Sequence, residues 1–288
     1  MLRRIFTTVL LLAVFGCGRG AEKLARDLGN EDRVTRQEAA QRLLGMGDAA
    51  VPALISAVES GNDTAKYIAA QILGKLGDKR AVGPLMQLLK HDHEYIRAVA
   101  AEALGKLGDR RVLGPLSIAA KDSFSVVRKS AIEAIGNFRS PDMVPLLLSA
   151  LKDPSPDVRK NAVAALAYFQ SNIELANPRD DVIDAIEAAA SDPDESVRYV
   201  AVQALGNLRD RTAVPILIDM IAWNEDISDW NEPSTWVRQE AVIALGKIGD
   251  LDAVKPLEEF LSRAGKDEQK VTLKVLEDLT GNKYILED

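Results

Sequence analysis

Both histidines of the 288-residue chain fall in one stretch, His91-Asp92-His93-Glu94. Two imidazoles alternating with two carboxylates are the donor set of a weak surface metal site. The competing reading is preferred: a turn in which Asp92 caps the next helix and the histidines are ordinary turn residues. Cys17 is the only cysteine, so its thiol has no disulfide partner. A third grouping holds all three tryptophans, Trp223, Trp230 and Trp236, interspersed with Glu225, Asp226, Asp229 and Glu232. Indoles ringed by polar groups are over-represented at interface hot spots. Trp223 and Trp236 have the alternative of continuing the flanking helices, so Trp230 is the best binding residue of the three. The four carboxylates lack the alternate-residue spacing of calcium loops. No Gly-rich loop follows a strand pattern, and no Ser/His/Asp or Cys/His set is present. No catalytic residue, no metal and no cofactor is therefore expected, and the chain reads as a non-enzyme.

The N-terminal residues look like an address. Arg3 and Arg4 precede an apolar run, Ile5 to Phe15, that ends at Gly16-Cys17. A basic start, a short apolar run and a small residue before the cut describe a secretory signal. The run falls short of the about twenty residues that span a bilayer. The chain as a whole is 47% hydrophobic with only 5% aromatics, a composition led by Ala and Leu that suits closely packed helices. A net charge of −7 and a pI near 5.1 give no pull on nucleic acid and repulsion from anionic headgroups. Residues 1–16 hold two arginines and no acids, so their removal takes the charge from −7 to −9.

From about Ala21 onward the chain repeats. Leu73-Gly74-Lys75-Leu76-Gly77-Asp78 returns as Leu104-Gly105-Lys106-Leu107-Gly108-Asp109, as Leu245-Gly246-Lys247-Ile248-Gly249-Asp250, and more loosely as Leu205-Gly206-Asn207-Leu208-Arg209-Asp210. Gly74, Gly105, Gly136 and Ala167 are spaced by thirty-one residues each time. Self-similarity at such a period marks stacked repeats. Each unit predicts two helices: one after a proline (Pro52, Pro84, Pro115, Pro145, Pro215, Pro256), then an Asp/Pro/Ser turn, then a second with an apolar stripe such as Val158, Ala162, Ala165 and Leu166. The Gly-x-x-Gly-Asp segment ends one helix and caps the next. A basic residue recurs at the start of the second helix: Arg36, Lys66, Arg97, Arg128, Arg159, Arg198 and Arg238. Acids five or six residues earlier (Asp92, Asp122, Asp153, Asp192) make this a structural ladder rather than a ligand site.

The pattern resembles HEAT repeats, in particular the HEAT-like repeats of phycobilin lyases. The resemblance implies an all-α fold, an α-solenoid of about eight stacked HEAT-like helical hairpins over 21–288, whose second helices line a concave face. It also offers an alternative activity, a HEAT-like enzyme or accessory of the bilin lyase or deoxyhypusine hydroxylase (oxidoreductase) kind. The hydroxylases hold two irons through several His-Glu pairs, and this chain has only His93-Glu94. HEAT-like DNA glycosylases use a basic concave face, which an acidic chain lacks. The segment Val14-Phe15-Gly16-Cys17 is similar to a bacterial lipoprotein signal. It implies cleavage of 1–16, lipid on Cys17 and a tether over 17–20. Gly18 in place of Asp implies an outer-membrane lipoprotein facing the periplasm.

The period breaks twice. Ala167 to Gly206 is thirty-nine residues, with extra chain near 170–180 containing Asn172, Asn177 and Pro178; Gly206 to Gly246 is forty, with extra chain near 224–235. The first is expected between repeats and the second within one, carrying the tryptophans. The second helices offer Tyr67, Gln71, Glu102, Lys129, Glu133, Lys160, Asn161, Tyr199 and Gln203, a mixture suited to a protein or peptide partner. Tyr67, Glu102, Glu133, Tyr199 and Gln203 are expected to bind that partner with the three tryptophans. The expected function is a non-enzymatic protein–protein interaction scaffold that meets the membrane through its lipid anchor only and binds no nucleic acid.

Overall fold

Proline early in the first helix of a repeat, a left-handed residue closing several of the second helices and an aspartate just after it punctuate this chain, and the structure follows that punctuation. A computed structural model describes residues 20–171, 180–224 and 229–284. Cys17, Asn172, Asn177, Pro178, Glu225 and Asp226 lie outside them. The described residues divide into two compact units that meet in sequence at Phe138–Arg139. The first contains α1 (20–27), α2 (Arg33–Met46), α3 (Val51–Ser60), α4 (Asp63–Leu76), α5 (Val82–Leu88), α6 (Glu94–Leu107), α7 (Leu113–Ala119) and α8 (Ser125–Gly136). The second contains α9 (Val144–Ala150), α10 (Pro156–Ser171), α11 (Asp180–Ala189), α12 (Glu195–Leu208), α13 (Val214–Met220), α14 (Thr235–Ile248), α15 (Val254–Arg263) and α16 (Lys266–Thr280). Taken in order these form eight hairpins, the all-α solenoid expected from the period.

Within each unit the even-numbered helices pack on one another, α4 on α6 and α6 on α8, α10 on α12, α12 on α14 and α14 on α16, while from α3 onward each odd-numbered helix packs on the one that follows it. The apolar stripes that a lone hairpin leaves bare are buried by this stacking. Leu73, Leu104, Leu116 and Val127 in the first unit are fully buried, as are Val158, Val197, Leu205 and Leu245 in the second. The small residues set how closely the second helices approach. A Cβ on Gly74 would lie 2.9 Å from the Ala103 Cα, one on Gly105 2.8 Å from the Ala134 Cα, and one on Gly206 2.7 Å from the Ala244 Cα. Backbone meets backbone there, so no side chain fits.

Helix ends follow the recurring motif. Gly77, Gly108 and Gly249 adopt φ of 75°, 63° and 76° and close α4, α6 and α14 in the left-handed conformation, which costs glycine least. Arg209 takes the same conformation at φ 55° after α12. The Asp that follows (Asp78, Asp109, Asp210, Asp250) accepts a bond from the backbone N–H two residues on and caps a short 3₁₀ turn. At Asp109 the Arg111 guanidinium and backbone N–H hold the carboxyl down at about 2.

The histidine stretch departs from expectation. Asp92 does not cap α6. His93 occupies the cap and its Nδ1 accepts from the Tyr95 N–H at 3.4 Å, while His91 Nδ1 accepts from the His93 N–H at 3.1 Å. Counted back from the ladder arginine, the turn-forming acceptor is the sixth residue: Asp122 before Arg128, Asp192 before Arg198, His91 before Arg97. Asp92 stands one residue too late.

The described residues of the second insertion are tied into the fold. Trp223–Asn224 and Asp229–Trp230 form a two-residue antiparallel pairing, Trp223 opposite Trp230, so Trp223 does not continue α13. Asn231 ties the returning strand down: its N–H donates to the Ala222 carbonyl at 3.1 Å and its Nδ2 to Asp219 Oδ1 at 3.0 Å.

Candidate functional site

The stacked cations are the most conspicuous candidate for a ligand site, and their geometry explains them internally. Each arginine sits one turn into a second helix and spends one nitrogen on its own turn: Arg97 Nη1 donates to the carbonyls of His91 and Asp92 at 2.7 and 2.8 Å, Arg159 Nη1 to those of Asp153 and Pro154 at 2.9 and 3.3 Å. The Nε and Nη2 face reaches the next repeat. Arg97 holds Asp122 at 2.8 and 2.9 Å, Arg159 holds Asp192 at 2.7 Å through both nitrogens, and Arg198 holds Glu232 at 2.6 and 2.8 Å. Such forked pairs are among the stronger charge-assisted bonds. The Arg97 hydrogen bond keeps the Asp122 carboxyl below its ordinary value. For Asp192 burial pushes upward, but Arg159 and the Asp194 N–H outweigh it and the net direction is down. Glu232, which the sequence places among the acids around the tryptophans, is 4% exposed and belongs to this ladder. It is not free to ligate calcium.

The metal candidate is not gathered. His91 Nε2 faces Asp63 at 3.4 Å and His93 Nδ1 lies 3.5 Å from Glu94. Among the described residues no group of three or more His, Cys, Asp or Glu comes together.

The second-helix stripe is present in both units. Residues seven and three before the repeat glycine, and one after it, share a helix face because they are four apart. In the first unit this gives Tyr67, Gln71 and Lys75 on α4, Glu102 and Lys106 on α6, and Lys129 and Glu133 on α8. Tyr67 is 37% exposed and its hydroxyl accepts from Gln71 Nε2 at 3.2 Å. Glu102 and Glu133 are exposed, and Glu102 pairs with Lys106 at 2.5 Å. In the second unit Tyr199 and Gln203 of α12 are half-buried. The Glu240 carboxylate of α14 faces the Tyr199 hydroxyl, and its charge, with burial and the hydrogen bond between them, raises the phenol above its ordinary value. Glu240 itself is buried where the corresponding positions on α4 and α6 hold Ile68 and Val99. Sequence reasoning missed it; the same register carries Ser130 on α8, Asn161 on α10 and Val200 on α12, so residue type there gives no signal of a buried acid.

The tryptophans separate. Trp236, in the first turn of α14, is 73% exposed. Trp223 is half-buried beneath Arg263, whose Cζ lies 5.4 Å from the ring centroid. It shares a cleft of about 380 Å³ with Ile218, Pro256 and Phe260. Trp230 is described through its backbone, paired with Trp223.

Known proteins bear on the fold. No protein of curated function matches the chain. An E. coli structure, YibA, is similar over 93% of this chain and 97% of its own at 23% identity, with a TM-score of 0.64. The CpcE–CpcF complex of phycocyanin lyase from Nostoc sp. PCC7120 aligns with 90% of this chain and 94% of its own at 23% identity, TM-score 0.48. Human deoxyhypusine hydroxylase in complex with glycerol aligns with 94% and 99% at 20% identity, TM-score 0.41. The family model for HEAT repeats matches residues 51–135, 114–177 and 184–277. With the hairpins, the glycine contacts and the arginine ladder of the structure, that match makes this chain a member of the HEAT-repeat family.

Proposed function

We propose that the protein is a non-enzymatic interaction scaffold that binds another protein through the second-helix stripe and the tryptophan insertion, tethered to a bacterial outer membrane by lipid on Cys17. The observation that carries the binding half is Trp236. A large indole, 73% exposed, stands on the rigid first turn of α14 beside an insertion anchored by Asn231 and Glu232. Burial of such a side chain is favourable and the fold leaves it in water, while a partner would cover it. The tether rests on the sequence alone: a basic start, an apolar run and a lone cysteine at its end.

Two experiments separate the halves. Crosslinking and affinity capture from native membranes should return a discrete partner that weakens or disappears with Trp236→Ala and Trp230→Ala. The same proteins recovered with the variants as with the original chain would refute the binding surface. Cys17→Ala should abolish lipid labelling and membrane association, and unchanged labelling would refute the tether.

A further inference from the structure

At the last pair of second helices the packing rule changes. Gly246 of α14 faces Val275 of α16, whose two methyl carbons would lie 2.9 and 3.1 Å from an added Cβ. The equivalent glycines face alanine. A branched side chain at the closest approach wedges the helices apart, and a groove of about 990 Å³ opens between them. The helices run in the same direction, since Arg238 meets Glu268 near one end and Gly246 meets Val275 near the other. The groove lies on the second-helix stripe, because its α14 wall is Gln239, Ile243 and Lys247. At the register where α4, α6, α8 and α12 carry Gln71, Glu102, Glu133 and Gln203, α14 carries Ile243, so the stripe turns apolar here.

We propose that this groove receives an amphipathic helix from a protein partner, with the apolar stripe of that helix on Ile243, Val271 and Val275 and its central carboxylates on Lys247, Lys270 and Lys274. The proposal rests on the scaffold reading above and names the chemistry of one contact. Charge complementarity carries it. Lys270 and Lys274 are exposed and make no ion pair among the described residues, and Lys247 reaches only Asn207 at 3.0 Å and Glu240 at 3.8 Å. Acids mark the two ends, Asp267 at one and Glu277 with Asp278 at the other, so the pattern along the groove is negative, positive, negative. From Asp267 to Asp278 the α16 wall is about 16 Å long at the α-helical rise, which matches about three turns of a partner helix. Two parallel helices leave a channel that accepts the side-chain ridge of a third, and an apolar stripe laid in such a groove is an established recognition mode.

The test uses the full chain and a fluorescein-labelled synthetic helix of about fourteen residues, with leucines on one stripe, two central glutamates and arginine at each end. A control peptide has its charges inverted. Anisotropy titration should show the first peptide binding at least about tenfold tighter than the control, with affinity falling as salt rises. Lys270→Glu with Lys274→Glu, both at exposed positions, should weaken the first peptide about tenfold and favour the control. Equal binding of the two peptides, indifference to the double substitution, or no binding would overturn the proposal. Binding seen only in a chain shortened at Tyr284 would assign the groove to Ile285–Asp288 instead, and a dimer lost in the double variant would assign it to a second copy; either result overturns it too. Partner capture dependent on Trp236 reads the scaffold independently, so failure here with that capture intact removes the groove alone.

Discussion

The α4–α6–α8 stack of the first unit and the α12–α14–α16 stack of the second follow one design with different tolerances. In the first, every closest approach is glycine on alanine and the Arg97 rung of the ladder ends on an aspartate, with Arg97 and Asp122 side chains 12% and 15% exposed. In the second, an insertion interrupts the hairpin, glutamates replace aspartates at Glu232 and Glu268, the final approach is glycine on valine, and the Arg238–Glu268 pair is only 6% and 5% exposed. The contrast teaches that a repeat tolerates extra chain provided the acceptor returns in register. Glu232 ends the insertion yet still stands six residues before Arg238, as Asp122 stands before Arg128.

The largest test of this contrast removes a ladder acceptor. Glu268→Ala should cost about 3–5 kcal/mol, because it strands a buried guanidinium. Asp122→Ala should cost less, since water reaches that pair, and equal losses by denaturant unfolding would erase the distinction. Leu104→Ala, at a fully buried site, should cost about 2–5 kcal/mol. Next come the glycines. Gly105→Ala must push against the Ala134 backbone and should cost about 1–3 kcal/mol, whereas Gly246→Ala meets only Val275 methyls that can rotate away, and should cost less. If Gly246→Ala is the worse of the two, the valine wedge is misread.

Acid titration gives a smaller effect. The carboxyls of Asp122 and Asp192 are lowered in the folded state, so their contribution is fully present above the unfolded value of about 3.9 and is lost as pH falls through that value towards the depressed folded one. Asp122→Asn should flatten the fall in stability below about pH 4; an unchanged acid limb would mean that Asp122 does not drive it. The smallest effect belongs to Trp236→Ala, within about 0.5 kcal/mol of the original stability. A larger loss would make this indole part of the core rather than of a binding surface.

Much of the fold was readable because its signals are local and repeated. The thirty-one-residue spacing, the proline near each first helix and the Gly-Asp punctuation each reflect a backbone requirement that one residue type satisfies, and repetition made them visible. The ladder was readable for the same reason, but only its aspartates were recognised. Glu232 and Glu268 escaped although each stands six residues before a basic residue, Arg238 and Lys274, because glutamate there replaces the aspartate of the other repeats, and Asp92 was misassigned by one residue because a histidine nitrogen can accept the same bond. For the candidate surface, composition picked out Tyr67, Glu102, Glu133, Tyr199, Gln203 and the tryptophans. Their exposure did not follow from composition: Trp236 stands in solvent while Trp223 lies under Arg263.

The sequence by itself determined the repeat, its helices, their ends and the acidic charge that argues against nucleic acid, since these depend on residue type and spacing along one chain. Only the tertiary structure decided which second helices approach to backbone contact, where a valine holds two of them apart, that Glu232 is an ion-pair partner rather than a loop acid, and which indole remains in water. Those outcomes depend on atoms about thirty residues or more apart in the chain that meet only when the hairpins stack.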